Sequence, residues 1–182
     1  MLRAIIGTVA VLAGFGVLER SVDASTGHAG SCTATQVYAL LQPGEMMPVR
    51  AEPTQQAMVI GTLSGRAAKA ELARSQVTIM GSQSGWVRIA LNTAQGYAAD
   101  GAAPQSFGWV PADLLTVDAR VDGKIKAYDR PDLLGSPIAT IEGDDMKFRV
   151  LGCRGTWLQV VNARVGHAWI DKWCAREEGC RG

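Results

Sequence analysis

Side chains that could perform catalysis are scarce in this sequence. General acid–base chemistry most often uses histidine, and only His28 and His167 occur in 182 residues. The sequence contains no Gly-x-Ser-x-Gly nucleophile elbow, no His-Glu-x-x-His zinc helix and no Gly-x-x-x-x-Gly-Lys phosphate loop. We therefore expect a non-enzymatic protein without a cofactor.

Acidic and thiol groups also fail to form a metal-binding pattern. Glu142, Asp144 and Asp145 cluster near one turn, but calcium needs more oxygen ligands at definite spacing, so we predict a solvated hairpin turn. No Cys-x-x-Cys or Cys/His pair has zinc spacing. We predict no metal site, and an even cysteine count in an oxidising compartment predicts two disulfides with three possible connectivities. The four cysteines are Cys32, Cys153, Cys174 and Cys180.

The start of the chain has the pattern of a secretory signal peptide. Arg3 precedes an uncharged apolar run from Ala4 to Leu18, and Val22-Asp23-Ala24 fits a small-x-small cleavage site. The run is shorter than the roughly 18 residues typical of a membrane span, although an N-terminal membrane anchor is the alternative. We predict a helical signal peptide over 1–24 and an N-terminal extension over 25–44. The mature protein would then be periplasmic or secreted and free of the membrane.

The remaining chain contains an internal repeat. Val77-Thr-Ile-Met-Gly81-Ser-Gln-Ser-Gly85-Trp86-Val87-Arg88-Ile89 aligns with Phe148-Arg-Val-Leu-Gly152-Cys-Arg-Gly-Thr156-Trp157-Leu158-Gln159-Val160. Flanking segments repeat in the same order: Val49 to Pro53 with Ile125 to Pro131, Val59 to Leu63 with Ile138 to Ile141, and Gly108-Trp109-Val110 with Ala168-Trp169-Ile170. A repeated order of short elements predicts two copies of one small domain.

Period-2 alternation assigns a face to each strand residue. Val87 and Ile89 share a core face, which leaves Trp86 beside Arg88 on the other. In the second copy, Leu158 and Val160 face the core and leave Trp157 beside Gln159. A tryptophan paired with a polar residue on a strand face is the strongest sign of a ligand contact in this sequence.

This ordered set of motifs resembles the bacterial SH3-like domain. The first copy spans residues 45–118, and the second spans 120–175 within a predicted domain of 119–182. The resemblance implies an all-β protein made of two tandem small barrels of short antiparallel strands. Known members of that family are non-catalytic modules of exported proteins that often bind cell-wall peptide or a protein partner.

The resemblance also implies a shallow peptide-binding groove, because aromatic and charged side chains there suit an extended peptide. The groove residues that it assigns are Glu52, Trp86 and Arg88 in the first copy and Tyr128, Asp129, Arg130, Asp132 and Trp157 in the second. The other three tryptophans, Trp109, Trp169 and Trp173, are interpreted as packing residues at a barrel end.

The two copies differ in ways that bear on the fold. Trp86 and Trp109 are 23 positions apart, whereas Trp157 and Trp169 are 12 apart, so the first copy carries an insertion within 92–107. Alanine-rich residues 64–75 also suit a helical turn or two. Both segments are tolerated surface insertions or, alternatively, a rim that reshapes the groove.

The cysteine positions within the copies suggest a pairing. Cys174 falls at the last strand of the second copy and Cys153 near its hairpin turn, which favours Cys153 with Cys174 and Cys32 with Cys180. Pairing of Cys174 with Cys180 is the alternative. A domain of about 55 residues has a marginal core, so a disulfide contributing roughly 2–4 kcal/mol is reasonable.

Two hypotheses for the function follow. The first is an exported binding module that recognises peptidoglycan or a protein segment. The second is a disulfide-stabilised structural or inhibitory periplasmic protein that acts by protein–protein contact. A net charge of +1 without runs of like charge argues against a nucleic-acid partner.

Overall fold

The computed structural model describes residues 30–65, 74–101, 105–118, 123–132, 134–142 and 147–175. Over these residues the protein is all-β, as the sequence predicts, and it contains no α-helix. The predicted signal peptide lies outside the described residues, as does most of the segment for which a helical turn was predicted, residues 66–73.

The strands in chain order are β1 (Gly30–Leu40), β2 (Met46–Arg50), β3 (Val59–Ser64), β4 (Arg74–Gln83), β5 (Trp86–Ala90), β6 (Tyr97–Ala99), β7 (Phe107–Pro111), β8 (Leu115–Asp118), β9 (Ile125–Tyr128), β10 (Pro137–Ile141), β11 (Lys147–Arg154), β12 (Trp157–Asn162) and β13 (Gly166–Ile170). A 3-10 helix, η1 (Ala112–Leu114), joins β7 to β8.

All these strands belong to one antiparallel sheet, in the order β10-β9-β13-β12-β11-β8-β1-β4-β5-β7-β2-β3-β6. The sequence repeat is visible in that order, because β4-β5-β7-β2-β3 on one side matches β11-β12-β13-β9-β10 on the other. We call these two runs the first and second halves. The division of the chain into two closed barrels stays a prediction, since the strands form a single sheet with β10 and β6 at its edges.

Two central strands join the halves. β1 pairs with β4 of the first half, and β8 pairs with β11 of the second. β1 and β8 then pair with each other through Tyr38–Thr116 and Ala39–Leu115. The two halves therefore meet through a continuous hydrogen-bonded ladder.

Local sequence explains the two central hairpins. Ser84 and Gly85 form the loop between β4 and β5, with φ of 49° and 79°, the combination that a type I′ turn requires. Gly155, with φ of 55°, is the first loop residue between β11 and β12, as in a type II′ turn. Glycine supplies this positive φ without a steric penalty.

A single cluster of buried side chains runs through both halves. The predicted core residues Val87, Ile89, Leu158 and Val160 are all 0% exposed, which confirms the face assignment in both copies. Phe148 and the β8 residues Leu115 and Val117 also belong to this cluster. The halves are further joined by Ser82, whose Oγ donates to the Cys153 carbonyl at 3.0 Å and accepts from the Cys153 amide at 3.0 Å.

The disulfide pairing differs from the prediction. Cys153 is bonded to Cys32, with the two Cα atoms 5.7 Å apart, so the expected Cys153–Cys174 and Cys32–Cys180 pairs are wrong. The physical reason is that the start of β1 lies against the β11–β12 turn, where Thr33 N donates to Gly155 O and Gly155 N donates to Ser31 O. Cys174 is also disulfide-bonded, and Cys180 lies outside the described residues.

Candidate functional site

The first half presents a row of cationic and aromatic side chains on the outer face of its sheet. Cross-strand partners are Arg50 with Trp109, and Trp109 with Arg88. Directly opposed residues share one face of a sheet, so these three, which we call the first row, lie side by side. Trp86 is two residues before Arg88 and lies on the same face, opposite Pro111.

The first row is electropositive. The Arg50 side chain donates from Nη1 to the carbonyl of Ala57 at 2.7 Å, which ties it to the loop after β2. The Arg88 Cζ lies 5.2 Å from the centroid of the Phe107 ring, a cation–π distance. Among the described residues no carboxylate lies at ion-pair distance from either guanidinium. Both guanidinium groups can therefore bind a carboxylate of a ligand.

The second half has a row at the equivalent positions. Tyr128 is opposite Trp169, and Trp169 is opposite Gln159. In this second row Tyr128 replaces Arg50 and Gln159 replaces Arg88, while the central tryptophan is retained. The second row is consequently aromatic and uncharged.

The structure brings together two of the predicted groove residues in the second half. The rings of Tyr128 and Trp157 are in edge-to-face contact, with centroids 5.2 Å apart. Such pairs stabilise by about 0.5–1.5 kcal/mol beyond their buried area. Both side chains are only half-buried, which leaves aromatic surface available to a ligand.

The other predicted residues of the second half are in the loop after β9, where they organise the backbone. Asp129 accepts from the Ser136 amide at 2.8 Å and Asp132 from the Leu134 amide at 2.7 Å. Arg130 donates to the Leu134 carbonyl and lies 3.6 Å from Asp132. These groups give the loop its shape beside Tyr128.

The predicted residues of the first half are only partly assembled. Trp86 and Arg88 share the outer face of β5, as period-2 alternation predicts. Glu52 is exposed in the loop after β2, and its backbone carbonyl accepts from the Thr54 amide at 2.9 Å. No described contact joins the Glu52 side chain to Trp86 or Arg88.

Sequence reasoning did not single out Arg50 and Phe107, and it interpreted two of the row tryptophans as packing residues. Trp109 and Trp169 are half-buried on the outer face, between buried neighbours, whereas a packing role at a barrel end was expected. Period-2 alternation in β7, Phe107-Gly-Trp-Val-Pro, would have placed Phe107 and Trp109 together on the outer face. Trp173 does pack against the core, and its Nε1 donates to the Gln36 carbonyl at 3.4 Å.

The described cavities lie away from these rows. An open groove of about 500 Å³ between the central strands and β12 is lined by Leu40, Thr116, Lys147, Arg149, Val161, Asn162 and Ala163. None of the predicted groove residues lines it.

The described ranges contain no cluster of three or more His, Cys, Asp or Glu residues able to hold a metal ion, and His167 is exposed on β13. His28 and the acidic turn at 143–145 lie outside those ranges. No described helix has the length and apolar character of a membrane span.

Comparison with known proteins gives little guidance. No family model and no curated protein matches the chain. NlpC2 from Trichomonas vaginalis is similar with a TM-score of 0.34 and 14% identity, over 82% of this chain and 51% of that one. NlpC1 from the same organism gives 0.33 and 15%, over 83% and 49%. The chain thus spans about half the length of these two structures, and TM-scores this low carry no argument.

Proposed function

We propose that this chain is an exported, non-catalytic binding module that recognises an extended peptide, cell-wall stem peptide above all, on the outer face of its sheet. The observation that supports this most is the recurrence of a half-buried tryptophan, Trp109 or Trp169, at one position in both halves. Each is flanked by side chains suited to ligand contact. A solvent-facing aromatic offers large contact area at little conformational cost.

The proposal includes the finer architecture expected from the sequence. Each half would form one SH3-like barrel, in domains 45–118 and 119–182, behind a cleaved signal peptide of residues 1–24. The matching strand order of the two halves supports this division. Export is supported by the Cys32–Cys153 disulfide, because structural disulfides persist mainly in oxidising compartments.

The two rows suggest different parts of the ligand. Arg50 and Arg88 can form charge-assisted hydrogen bonds to a carboxylate, so the first row would hold a peptide carboxylate against Trp109. The second row would hold an uncharged or apolar part of a peptide against Trp169 and the Tyr128–Trp157 pair. In this arrangement the first row provides charge selection and the second provides contact area.

Cosedimentation of the mature protein with purified cell-wall sacculi tests the proposal. We expect wild-type protein to sediment with sacculi, Arg88→Gln to bind less tightly at low salt, and Trp157→Ala to lose binding at any salt. Lys172→Gln removes an exposed charge elsewhere, and Leu114→Ala removes an exposed apolar side chain elsewhere. These two control variants should bind like wild type.

Two results would reject this function. One is absence of sedimentation by the wild-type protein at any salt concentration. The other is unchanged capture by both Arg88→Gln and Trp157→Ala. Either result would favour the structural or inhibitory alternative, in which a protein partner is contacted elsewhere on the surface.

A further inference from the structure

The insertion of the first half covers a strand edge that no described strand covers in the second half. Residues 97–99 form β6, which pairs antiparallel with β3 through Leu63–Tyr97, Thr62–Ala98 and Gly61–Ala99. In the second half the loop between β12 and β13 is only Ala163–Val165, and no described strand pairs with the outer edge of β10.

The two edges correspond residue by residue. Strand β3 pairs with β2 in the same register as β10 pairs with β9. The equivalent residues are Leu63 and Ile141, Thr62 and Thr140, and Gly61 and Ala139. Both ladders also have their register shift at the same place, beside Ile60 in β3 and beside Ile138 in β10. What occupies the edge of β3 therefore shows what the edge of β10 can accept.

Backbone groups on the β3 edge show the direction of hydrogen bonding. The Ile60 carbonyl accepts from Asp100 N at 3.1 Å, and Ser64 N donates to the Gly96 carbonyl at 3.0 Å. Residues 60, 62 and 64 therefore point their peptide groups towards the added strand. By the shared register, Ile138, Thr140 and Glu142 direct theirs to the open edge of β10.

Two further observations mark the β10 edge as a place for a ligand. Ile60 is 1% exposed, whereas Ile138 at the matching position is 50% exposed. A cavity of about 140 Å³ lies between β10 and the short loop, lined by Ala139, Thr140, Ile141, Glu142, Arg164 and Val165. That loop is the counterpart of the one whose insertion supplies β6 in the first half.

We propose that the edge of β10 binds an extended peptide segment of a partner protein by antiparallel strand addition, in the position that β6 takes on β3. Main-chain hydrogen bonds would supply affinity, and pockets for alternate side chains would supply specificity. This site is distinct from the outer-face rows and does not depend on the function proposed for them.

The structure also specifies a side-chain preference for the incoming strand. A Cβ on Gly61 would lie 2.5 Å from the Ala98 carbonyl oxygen, 2.5 Å from Tyr97 Cε2 and 2.7 Å from the Tyr97 hydroxyl, closer than such atoms approach. Ala139 has that Cβ at the matching position of β10. The segment bound there must therefore lie slightly further from residue 139 than β6 lies from Gly61, and it must carry a small residue where β6 has Tyr97.

Two peptides and five variants test this site. The probes are Ala-Gln-Gly-Tyr-Ala-Ala-Asp-Gly, which copies residues 94–101, and the same peptide with alanine for tyrosine. NMR titration of the full mature protein should show the alanine peptide shifting the Thr140 amide and binding about tenfold more tightly than the tyrosine peptide. Ala139→Gly should remove that preference.

Thr140→Pro tests the hydrogen bonding itself. Proline is accommodated on an edge strand where its missing N–H faces outward, so the variant should fold. Thr140→Pro should weaken binding of the alanine peptide by at least about fivefold, because one hydrogen bond is lost. Thr140→Ala keeps the backbone N–H and should leave this affinity unchanged. Ile138→Lys, a charge on an exposed edge, is the second blocking variant if the proline variant is unfolded.

Several outcomes would overturn the proposal. They are absence of Thr140 shifts at millimolar peptide, unchanged binding in both blocking variants, and protection of the Thr140 amide from exchange before peptide is added. Concentration-dependent dimerisation that Thr140→Pro abolishes would assign the edge to a second copy instead. Trp157→Ala should leave these titrations unchanged, which separates this site from the sacculus-binding face.

Discussion

Removing the Cys32–Cys153 disulfide should cost a large part of the stability of this protein. The bond links positions 121 residues apart, and the chain-entropy relation for a loop of that length gives about 5 kcal/mol of stabilisation, chiefly by restricting the unfolded chain. The Cα–Cα distance of 5.7 Å is in the usual range for a disulfide. Because removal of a native disulfide from a small domain typically costs about 2–5 kcal/mol, we expect a loss of about 3–5 kcal/mol.

Urea denaturation followed by tryptophan fluorescence measures this loss. The variant is Cys32→Ala with Cys153→Ala, because Cys153 is 3% exposed and alanine leaves no buried hydroxyl there. The unfolded variant is no longer cross-linked and exposes more surface, so its m-value should rise as its free energy of unfolding falls.

A single variant separates the cross-link from the missing sulfur. Cys32→Ala breaks the bond but keeps the Cys153 side chain in the core, so it should lose nearly as much stability as the double variant. A loss below about 1 kcal/mol in both variants would show that the bond restricts little of the unfolded chain, contrary to the chain-entropy relation.

Three further experiments test the packing that positions the site, each by urea denaturation of substituted protein. Ser82→Ala removes the hydroxyl that bonds both the amide and the carbonyl of Cys153, and should destabilise by about 1–3 kcal/mol; a neutral result would show that the bridge between the halves carries no stability. Gly108→Ala places a Cβ 2.3 Å from Val49 Cγ1 and should cost about 1–3 kcal/mol through overpacking, whereas Ala168→Gly at the matching position should cost about 1 kcal/mol or less; equal losses would contradict the packing difference between the halves. Gly61→Ala should destabilise because its Cβ would meet both the Ala98 carbonyl oxygen and the Tyr97 ring, and Tyr97→Ala should recover the part of that loss that comes from the ring; no recovery would assign the whole loss to the backbone contact.

The alternation of strand residues made much of the fold predictable. Val87 and Ile89 alternate with Trp86 and Arg88, and the structure buries the first pair and leaves the second on the outer face. The repeat of motifs likewise appears as a repeated strand order. These features are local or directly periodic, so one sequence suffices to find them.

The long-range pairings were not predictable in the same way. Arg50 joins the first row only because β2 pairs with β7, about 60 residues further along the chain. Cys32 reaches Cys153 because the start of β1 lies against a turn of the second half. Neither contact produces a periodic pattern in the sequence, and cysteine connectivity does not follow from spacing alone.

The structural role of the insertion in the first copy was also not predictable from the sequence. Its composition, rich in alanine, glycine and glutamine, is typical of a tolerated surface segment, yet residues 97–99 add a strand to β3. The Tyr97 hydroxyl donates to the Ile60 carbonyl at 3.1 Å, and Gly61 provides the space for the ring. This fit depends on two segments that are distant in sequence.

The indole N–H signals show whether the outer-face rows are the ligand surface. Five tryptophans give five resolvable signals in an NMR titration of the mature protein with soluble muropeptide from digested sacculi. We predict that Trp86, Trp109, Trp157 and Trp169 shift in a saturable way while Trp173, packed against the core, does not. Saturable binding without a shift of the four outer-face indole signals, or with a shift of the Trp173 signal alone, would show that the ligand binds elsewhere.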